Sequence, residues 1–128
     1  MTIVYAIQYN MSEVINMADN LLLQSLGNEL KRGTQILAVL SQLDKTEYGY
    51  SLLQRLEEKN ISIEAGTLYP LLRRLESQKL LESQWDTTEN RPRKYYVLSS
   101  FGKETFNNLK ETWKEIVYEM NSLLGEGI

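Results

Sequence analysis

The stretch that decides the fold is residues 64–78, which read EAGTLYPLLRRLESQ. Its leucines recur three and four positions apart, the spacing that puts side chains on one face of an α-helix. We therefore predict a helix here, with Ser62 as its N-cap and a slight bend at Pro70. The face opposite the leucines consists of Ala65, Gly66, Thr67, Tyr69, Pro70, Arg73, Arg74 and Ser77.

That outward face suits the major groove of DNA. Its N-terminal residues are small, which lets the helix tip come close, and Thr67 lies where it would affect sequence preference. Arg73 and Arg74 can donate to phosphates or guanines, and the Tyr69 hydroxyl can reach a phosphate. A solvated, mildly basic helix face would show the same residues, so the neighbouring elements must decide between the two interpretations.

The segment after this helix predicts a β-hairpin. Two short runs rich in aromatic and branched residues, 80–85 and 93–98, flank a polar connection. The stretch RPRKYY (residues 91–96) places three cations within four residues, and these repel one another unless an anion lies nearby. DNA phosphates are the obvious anions, with the loop reaching toward a minor groove. A solvent-exposed basic turn is the alternative.

Helical periodicity predicts the remaining elements. Three helices are predicted before residues 64–78: they cover residues 10–26, 30–43 and 49–59. Asn10 is the N-cap of the first, and a polar break at residues 44–47 separates the second from the third. Residues 1–9 fit either a strand or a helical turn. Compact helices followed by a hairpin are the element order of a winged helix-turn-helix, so we expect a mainly helical α+β fold with residues 64–78 as its recognition helix.

A final helix should begin at Ser99 or Ser100 and continue to about residue 124, a length of about 39 Å. Its apolar stripe is longer than a small core can cover, so part of it should meet another chain. The residues that we expect in a dimer interface are Phe106, Leu109, Trp113, Ile116, Val117, Met120 and Leu123.

Composition excludes most chemistry. The 128 residues include no cysteine and no histidine, which removes disulfides, imidazole and thiolate metal sites, and the nucleophilic dyads built on those side chains. Adjacent carboxylates such as Glu57 and Glu58 point apart on a helix. We therefore expect a protein that is not an enzyme and has no cofactor or metal. No stretch is long enough to span a membrane and no secretory signal stands at the start, so a cytoplasmic location is expected.

The formal net charge of −3 is unevenly distributed. Residues 1–47 carry 3 basic and 5 acidic side chains, residues 48–103 carry 9 and 7, and residues 104–128 carry 2 and 5. The predicted winged helix is thus the basic part of an acidic chain. Phosphate binding depends on the local field, so the acidic total does not exclude DNA as a partner.

Four motifs closely resemble those of the PadR family of bacterial transcriptional regulators: YGY (residues 48–50), GTLYPLLRRLE (66–76), LLE (80–82) and RKYYVL (93–98). The single C-terminal helix resembles the smaller subfamily. The resemblance implies a homodimeric repressor that binds double-stranded DNA, with a DNA-binding domain (residues 30–98) and a dimerisation helix (99–128). The family does not imply the role of the longer N-terminal segment; we expect residues 1–29 to form a helical extension that adds dimer contacts, with an unusual start as the alternative. The implied DNA contacts are Thr67, Tyr69, Arg73, Arg74, Arg91, Arg93, Lys94 and Tyr95.

Two functional questions have alternative answers at this point. In multidrug-sensing relatives, a tryptophan at the place of Trp113 stacks on flat cationic compounds, and a planar or cationic effector is one possibility here. We favour plain packing of Trp113 in the dimer core. For the whole protein, the alternative to DNA binding is a winged helix whose basic wing (residues 84–95) binds an acidic protein partner.

Overall fold

A computed structural model describes residues 10–125. The chain divides into two units, Met1–Thr34 and Gln35–Ile128. The predicted mainly helical α+β architecture is confirmed, and no helix within the described residues is long and apolar enough to cross a membrane. In chain order the elements are α1 (Met11–Arg32), α2 (Gln35–Ser41), β1 (Glu47–Tyr48), α3 (Gly49–Glu58), α4 (Ala65–Ser77), β2 (Leu81–Asp86), β3 (Arg93–Leu98) and α5 (Ser100–Leu124).

Helix α1 begins as predicted. The Asn10 side chain accepts a hydrogen bond from the Glu13 backbone N–H at 2.8 Å, which satisfies one of the free donors at the helix start. None of the helix's residues is buried. The alternatives for residues 1–9 lie outside the described residues.

The predicted boundary after α1 is wrong. We expected a break near Gly27 and a second helix over residues 30–43, but α1 continues to Arg32 and α2 is shorter. A glycine inside a helix weakens it by about 1 kcal/mol without ending it. The chain turns only after Arg32, where the Thr34 hydroxyl donates to the Lys31 carbonyl at 2.7 Å.

The core of the second unit lies among α2, α3, α4 and the inner face of the sheet. All four leucines of the predicted inner face of α4 are buried, which confirms the helical register on which the sequence interpretation depends. The fully buried side chains are Val39, Leu40, Leu43, Leu52, Leu56, Leu68, Leu72 and Leu75.

Three antiparallel strands form one sheet in the order β1-β3-β2. The predicted hairpin is present as β2 and β3, paired over all six residues of each strand. Strand β1 was not predicted, because residues 44–47 were expected to form only a polar break. A two-residue strand has no periodicity of its own, and it exists here because Glu47 and Tyr48 pair with Tyr96 and Tyr95 of β3.

The predicted N-cap of α4 is also wrong. The cap residue is Glu64 rather than Ser62, and the Glu64 carbonyl accepts from the Thr67 N–H at 2.9 Å. Ile63 is buried in the core and Glu64 has extended backbone angles, so the helix begins only after Glu64. The helix then passes through Pro70 without interruption.

Helix α5 starts on the turn that precedes β2. Of the two predicted caps, Ser99 and Ser100, the structure has Ser99: its Oγ accepts from the Gly102 N–H at 2.9 Å and donates to the Lys79 carbonyl at 2.7 Å. A Cβ on Gly102 would collide with the Leu80 carbonyl oxygen, so only glycine allows this close packing. The helix ends at Gly125, whose φ of 72° is left-handed.

Candidate nucleic-acid interface

Helix α4 presents the outward face that its sequence predicts. Every residue assigned to that face is exposed, whereas the leucines opposite lie in the core. Arg73 and Arg74 lie in the second half of the helix, and neither forms an ion pair within residues 10–125. Their charges are therefore available to an anionic partner.

Tyr69 is held by a contact with the start of α3. Its ring packs over Gly49 so closely that a Cβ on this glycine would overlap the ring carbons. This contact gives a physical reason for the glycine between Tyr48 and Tyr50. It also fixes α3 against α4 while Tyr69 stays exposed to solvent.

The three cations of the wing have different surroundings, although the sequence treats them as alike. Arg91 is exposed in the loop before β3. The guanidinium carbon of Arg93 lies 4.6 Å from the centroid of the Tyr48 ring. Lys94 follows on the opposite face of the strand, and its Nζ donates to Glu76 Oε1 at 2.8 Å. Among the described residues, Arg91 and Arg93 form no ion pair, whereas Lys94 is neutralised by Glu76.

Glu76 joins α4 to both strands of the wing. Besides the bond from Lys94, it accepts a short hydrogen bond from the Ser83 hydroxyl on β2. The bonds from Lys94 and Ser83 hold the pKa of Glu76 below its usual value, and the bond to Glu76 raises the pKa of Lys94. Both groups are charged at neutral pH, so any contact between Lys94 and DNA competes with this ion pair.

Tyr95, another predicted DNA contact, is half-buried against Tyr48. The two rings meet edge to face with centroids 5.4 Å apart and an interplanar angle of 67°. The two residues are also paired across β1 and β3. The Tyr95 ring therefore supports the Tyr48 ring on which Arg93 lies.

Strand β1 is anchored to α3 through Glu47. Its carboxylate accepts from Arg55 Nη1 at 2.6 Å and from the Ser51 hydroxyl at 2.6 Å. Burial raises the pKa of Glu47, but the hydrogen bonds from Ser51 and Arg55 outweigh burial and hold the pKa below its usual value. The sequence interpretation gave no role to Glu47, Tyr48 or Glu76. Tyr48 and Glu76 lie in motifs that could have drawn attention to them, whereas Glu47 does not.

Helix α4 and the wing border an open cleft of about 440 Å³. Its walls include Tyr69 and Arg73 from α4, Tyr48 from β1, Trp85 from β2 and Arg93 from β3. None of the described residues that line it is acidic. The cleft therefore combines two guanidinium groups with aromatic rings, a lining that suits an anionic and partly apolar ligand such as a nucleic acid backbone.

The surface has the chemistry of a binding site. Among the described residues no group of three or more His, Cys, Asp or Glu side chains could hold a metal ion. Two carboxylates adjacent to or bonded to cleft-lining residues, Glu47 and Glu76, are each bonded to a cation and a hydroxyl. Neither is free to act as a general base.

The apolar stripe of α5 is covered only near its start. Phe106 and Leu109 pack against the core, and Val117 is half-buried. Farther along, the predicted interface residues are open to solvent within one subunit, with exposed fractions of 42% for Trp113, Ile116 and Met120 and 78% for Leu123.

Comparisons with known proteins agree with this geometry. The sequence model of a family described as "Transcriptional regulator PadR-like family" matches residues 36–108. A crystal structure of a PadR family transcriptional regulator from Eggerthella lenta is similar with a TM-score of 0.81 and 44% identity, covering 84% of this chain and 96% of the other. A transcriptional regulator of Mycobacterium tuberculosis is 30% identical over 77 residues, 60% of this chain and 72% of that protein.

A further likeness concerns the fold alone. The Bacillus subtilis PadR structure in complex with operator DNA has a TM-score of 0.56 and 20% identity, covering 59% of this chain and 45% of the other. At this identity the match shows a shared fold and nothing more.

Proposed function

Because this chain belongs to the PadR-like family of transcriptional regulators, we propose that it represses transcription as a homodimer bound to a near-palindromic operator. That it is a DNA-binding regulator rather than an enzyme follows from its family. The observation that supports this mode of binding is the outward face of α4. It is wholly exposed and includes Arg73 and Arg74, neither of which has an ion-pair partner in the part of the chain that the structure describes.

In the proposed complex, α4 enters a major groove and the wing reaches the adjacent minor groove. Thr67, near the helix tip, contacts base edges, while Tyr69, Arg73 and Arg74 contact phosphates or guanines. On the wing, Arg91 and Arg93 contact the backbone. The exposure of α4 and the unpaired charges of these arginines support this assignment over an acidic protein partner, because a regular row of anions is what the duplex offers.

The proposed dimer uses α5 together with the N-terminal extension, residues 1–29, while residues 30–98 bind DNA and residues 99–128 dimerise. The open stripe of α5 supports the first contact, and the exposed apolar side chains of α1 support the second. Two recognition helices would then enter successive major grooves about 34 Å apart. The exposed apolar side chains of α1 are Met11, Ile15, Met17, Leu21, Leu22, Leu23, Leu26 and Leu30.

Trp113 is proposed to pack within the subunit interface. Its exposure in one subunit agrees with this role, because large aromatic side chains are favoured at the centres of interfaces. The finer proposal is that a small planar cationic effector stacks on Trp113 and releases the operator. A second subunit has to supply the other wall of such a site, so the effector would act on the interface that sets the spacing of the recognition helices.

The test of DNA binding is a titration of the intergenic duplex beside the protein's own gene, followed by fluorescence anisotropy at several salt concentrations. Affinity should fall steeply with salt, with a slope of about −0.9 for each phosphate contacted. Replacing Arg91 with alanine should weaken binding to all duplexes alike, whereas Thr67→Ala should change the ratio between operator and scrambled duplex. Salt-insensitive binding, or no preference for the operator, would contradict the proposal.

Repression needs its own measurement. Transcription from the same promoter with purified polymerase should decline as the protein is added, at concentrations that saturate the operator. Unchanged or increased transcript at saturation would show that the regulator does not act as a repressor there.

A further inference from the structure

The cleft between α4 and the wing lies where one strand of the DNA backbone has to pass. If α4 occupies a major groove and the wing the next minor groove, the strand that separates those grooves lies between the two elements. Arg73 of α4 and Arg93 of β3 both line this space. Both residues are therefore close enough to contact the same stretch of phosphodiester.

We infer that Tyr48 is a positioning residue for DNA binding: its ring carries Arg93 and aims that guanidinium at the backbone phosphate in the cleft. The inference rests on the proposed function, in which Tyr48 is not itself a DNA contact. The distance of 4.6 Å from the Arg93 guanidinium carbon to the Tyr48 ring centroid is within the range of a cation–π contact.

The Tyr48 ring is itself held from two sides. The Tyr95 ring meets it edge to face at 5.4 Å, and backbone pairing sets the two residues opposite each other. The preceding residue, Glu47, is fixed to α3 by Arg55 and Ser51. An arginine on such a support has already lost much of its side-chain freedom, so binding a phosphate costs less entropy than it would for a free arginine.

Arg93 is ordered without being neutralised. Asp86 lies opposite it on β2, but that carboxylate accepts both the backbone N–H and the hydroxyl of Thr88, at 3.0 and 2.7 Å. In the part of the chain that the structure describes, Arg93 forms no ion pair, in contrast to Lys94 next to it. A held conformation with an unpaired charge is what a phosphate contact requires.

The test replaces Tyr48 and locates the phosphate on the operator. Tyr48→Leu removes the ring, and Tyr48→Phe is the matched control that keeps it. Each protein is titrated with operator duplexes that carry one neutral methylphosphonate at successive positions, and with unmodified operator over a salt series. Thermal unfolding and sedimentation show that each variant is folded and has the wild-type oligomeric state.

We expect one methylphosphonate position in each half-site to weaken binding of the wild type and of Tyr48→Phe. Tyr48→Leu should bind the unmodified operator roughly two- to five-fold more weakly for each subunit. The affinity of Tyr48→Leu for the operator should not fall further when that methylphosphonate is present. Its salt slope should be smaller in magnitude than that of the wild type by about 0.9 for each subunit. Arg93→Ala should show the same losses, and the Tyr48→Leu, Arg93→Ala double variant should be no weaker than Arg93→Ala alone.

The inference would be overturned if the losses of operator affinity caused by Tyr48→Leu and Arg93→Ala were additive in the double variant. It would also be overturned if Tyr48→Leu kept the salt slope of the wild type and the same loss of affinity on the methylphosphonate operator. If Tyr48→Leu does not fold, Tyr48→Met decides, because methionine fills similar space but has no aromatic face for the guanidinium. Tyr48→Met should then lose sensitivity to the same methylphosphonate, and retention would overturn the inference. A wild type that binds no operator would overturn the proposed function as well, which separates the two failures.

Discussion

Helices α4 and α5 have the same kind of sequence pattern and different fates. In α4, the four leucines of the apolar face are all buried within the subunit. In α5, the apolar stripe continues beyond Leu109, and from Trp113 to Leu123 it remains largely open. When the apolar face of a helix is buried within its own subunit, as in α4, the opposite polar face is the one that can bind a partner. When the apolar face stays exposed, as in α5, the apolar face itself is the surface that a partner has to cover.

The energetic scale separates the two surfaces as well. Burying one large apolar side chain contributes about 1.5–3 kcal/mol, so a few residues of the α5 stripe are enough to hold two subunits together. The α4 surface gains its free energy from phosphate contacts and counterion release, which salt weakens. Substitutions on α5 should therefore act on assembly and those on α4 on DNA binding, and the predictions below test this division.

The largest effect is expected from Ile116→Asp. In a dimer this position would bury an unpaired carboxylate in an apolar interface, at a cost of about 3 kcal/mol or more for each subunit. Because the dimer contains two copies, the dissociation constant should rise on the order of 10⁴-fold, which sedimentation equilibrium would detect as a monomer. Operator binding should be lost with it, because one subunit alone holds only one half-site.

Asn107→Asp is the matched control, since it adds the same charge at an exposed position of α5. It should leave both assembly and operator binding near the wild-type values. If Ile116→Asp stays dimeric, or if its monomer binds the operator as tightly as the wild type, α5 does not have the role that its open stripe implies.

An intermediate effect is expected from two glycines on the DNA-binding side. Gly49→Ala forces a methyl group into the Tyr69 ring and should lower the free energy of unfolding by about 1–3 kcal/mol. Gly66→Ala meets nothing within 4 Å, so the stability should be unchanged or raised by up to about 0.5 kcal/mol. Even so, its methyl group stands on the outward face near the tip of α4 and should weaken operator binding about five-fold or more.

The two glycine variants are informative together because Gly49→Ala should mainly lower stability, whereas Gly66→Ala should mainly lower operator affinity. Urea unfolding and anisotropy titration on the same preparations measure both. A Gly66→Ala protein with undiminished affinity would remove the tip of α4 from the DNA interface, while a Gly49→Ala protein of full stability would show that Tyr69 can move away at no cost.

The sequence predicted the parts of the fold in which apolar side chains recur at regular spacing or a local cap marks a helix end. The buried leucines of α4, the hairpin and both ends of α5 follow from side-chain spacing and from a capping serine, which are local signals. The parts it missed depend on partners far along the chain. Strand β1 exists through pairing with β3, and the start of α4 was misplaced because the burial of Ile63 decided it.

The same division holds for the candidate site. Exposed residues on a regular helix, such as Arg73, could be assigned from their position on the face. The environments of Arg93 and Lys94 could not, because one depends on Tyr48 and the other on Glu76, residues 45 and 18 positions away in the sequence. Adjacent cations with the same apparent role proved to have different partners.

The smallest effect is expected from Glu76→Gln, which removes the ion pair between α4 and the wing. The pKa of Glu76 is lowered in the folded protein, so its contribution is present above the ordinary carboxyl value of 4.5 and is lost as the pH falls through the folded value. The pKa of Lys94 is raised in the folded protein, so its contribution to stability is present below the ordinary lysine value of 10.5. That contribution is lost as the pH rises through the folded value. Between these limits the substitution should cost up to about 1 kcal/mol.

The comparison between the two helices supplies the control, because α5 has an ion pair of its own. Lys114 and Glu111 are 3.0 Å apart with side chains 71% and 68% exposed, whereas Lys94 and Glu76 are 27% and 30% exposed. Glu111→Gln should therefore change the urea midpoint less than Glu76→Gln at pH 7, because solvent screens the exposed pair more strongly. On acidification through the carboxyl range, the difference between wild type and Glu76→Gln should shrink, and a difference that persists in acid would mean that Glu76 stabilises the wing by packing rather than by its charge.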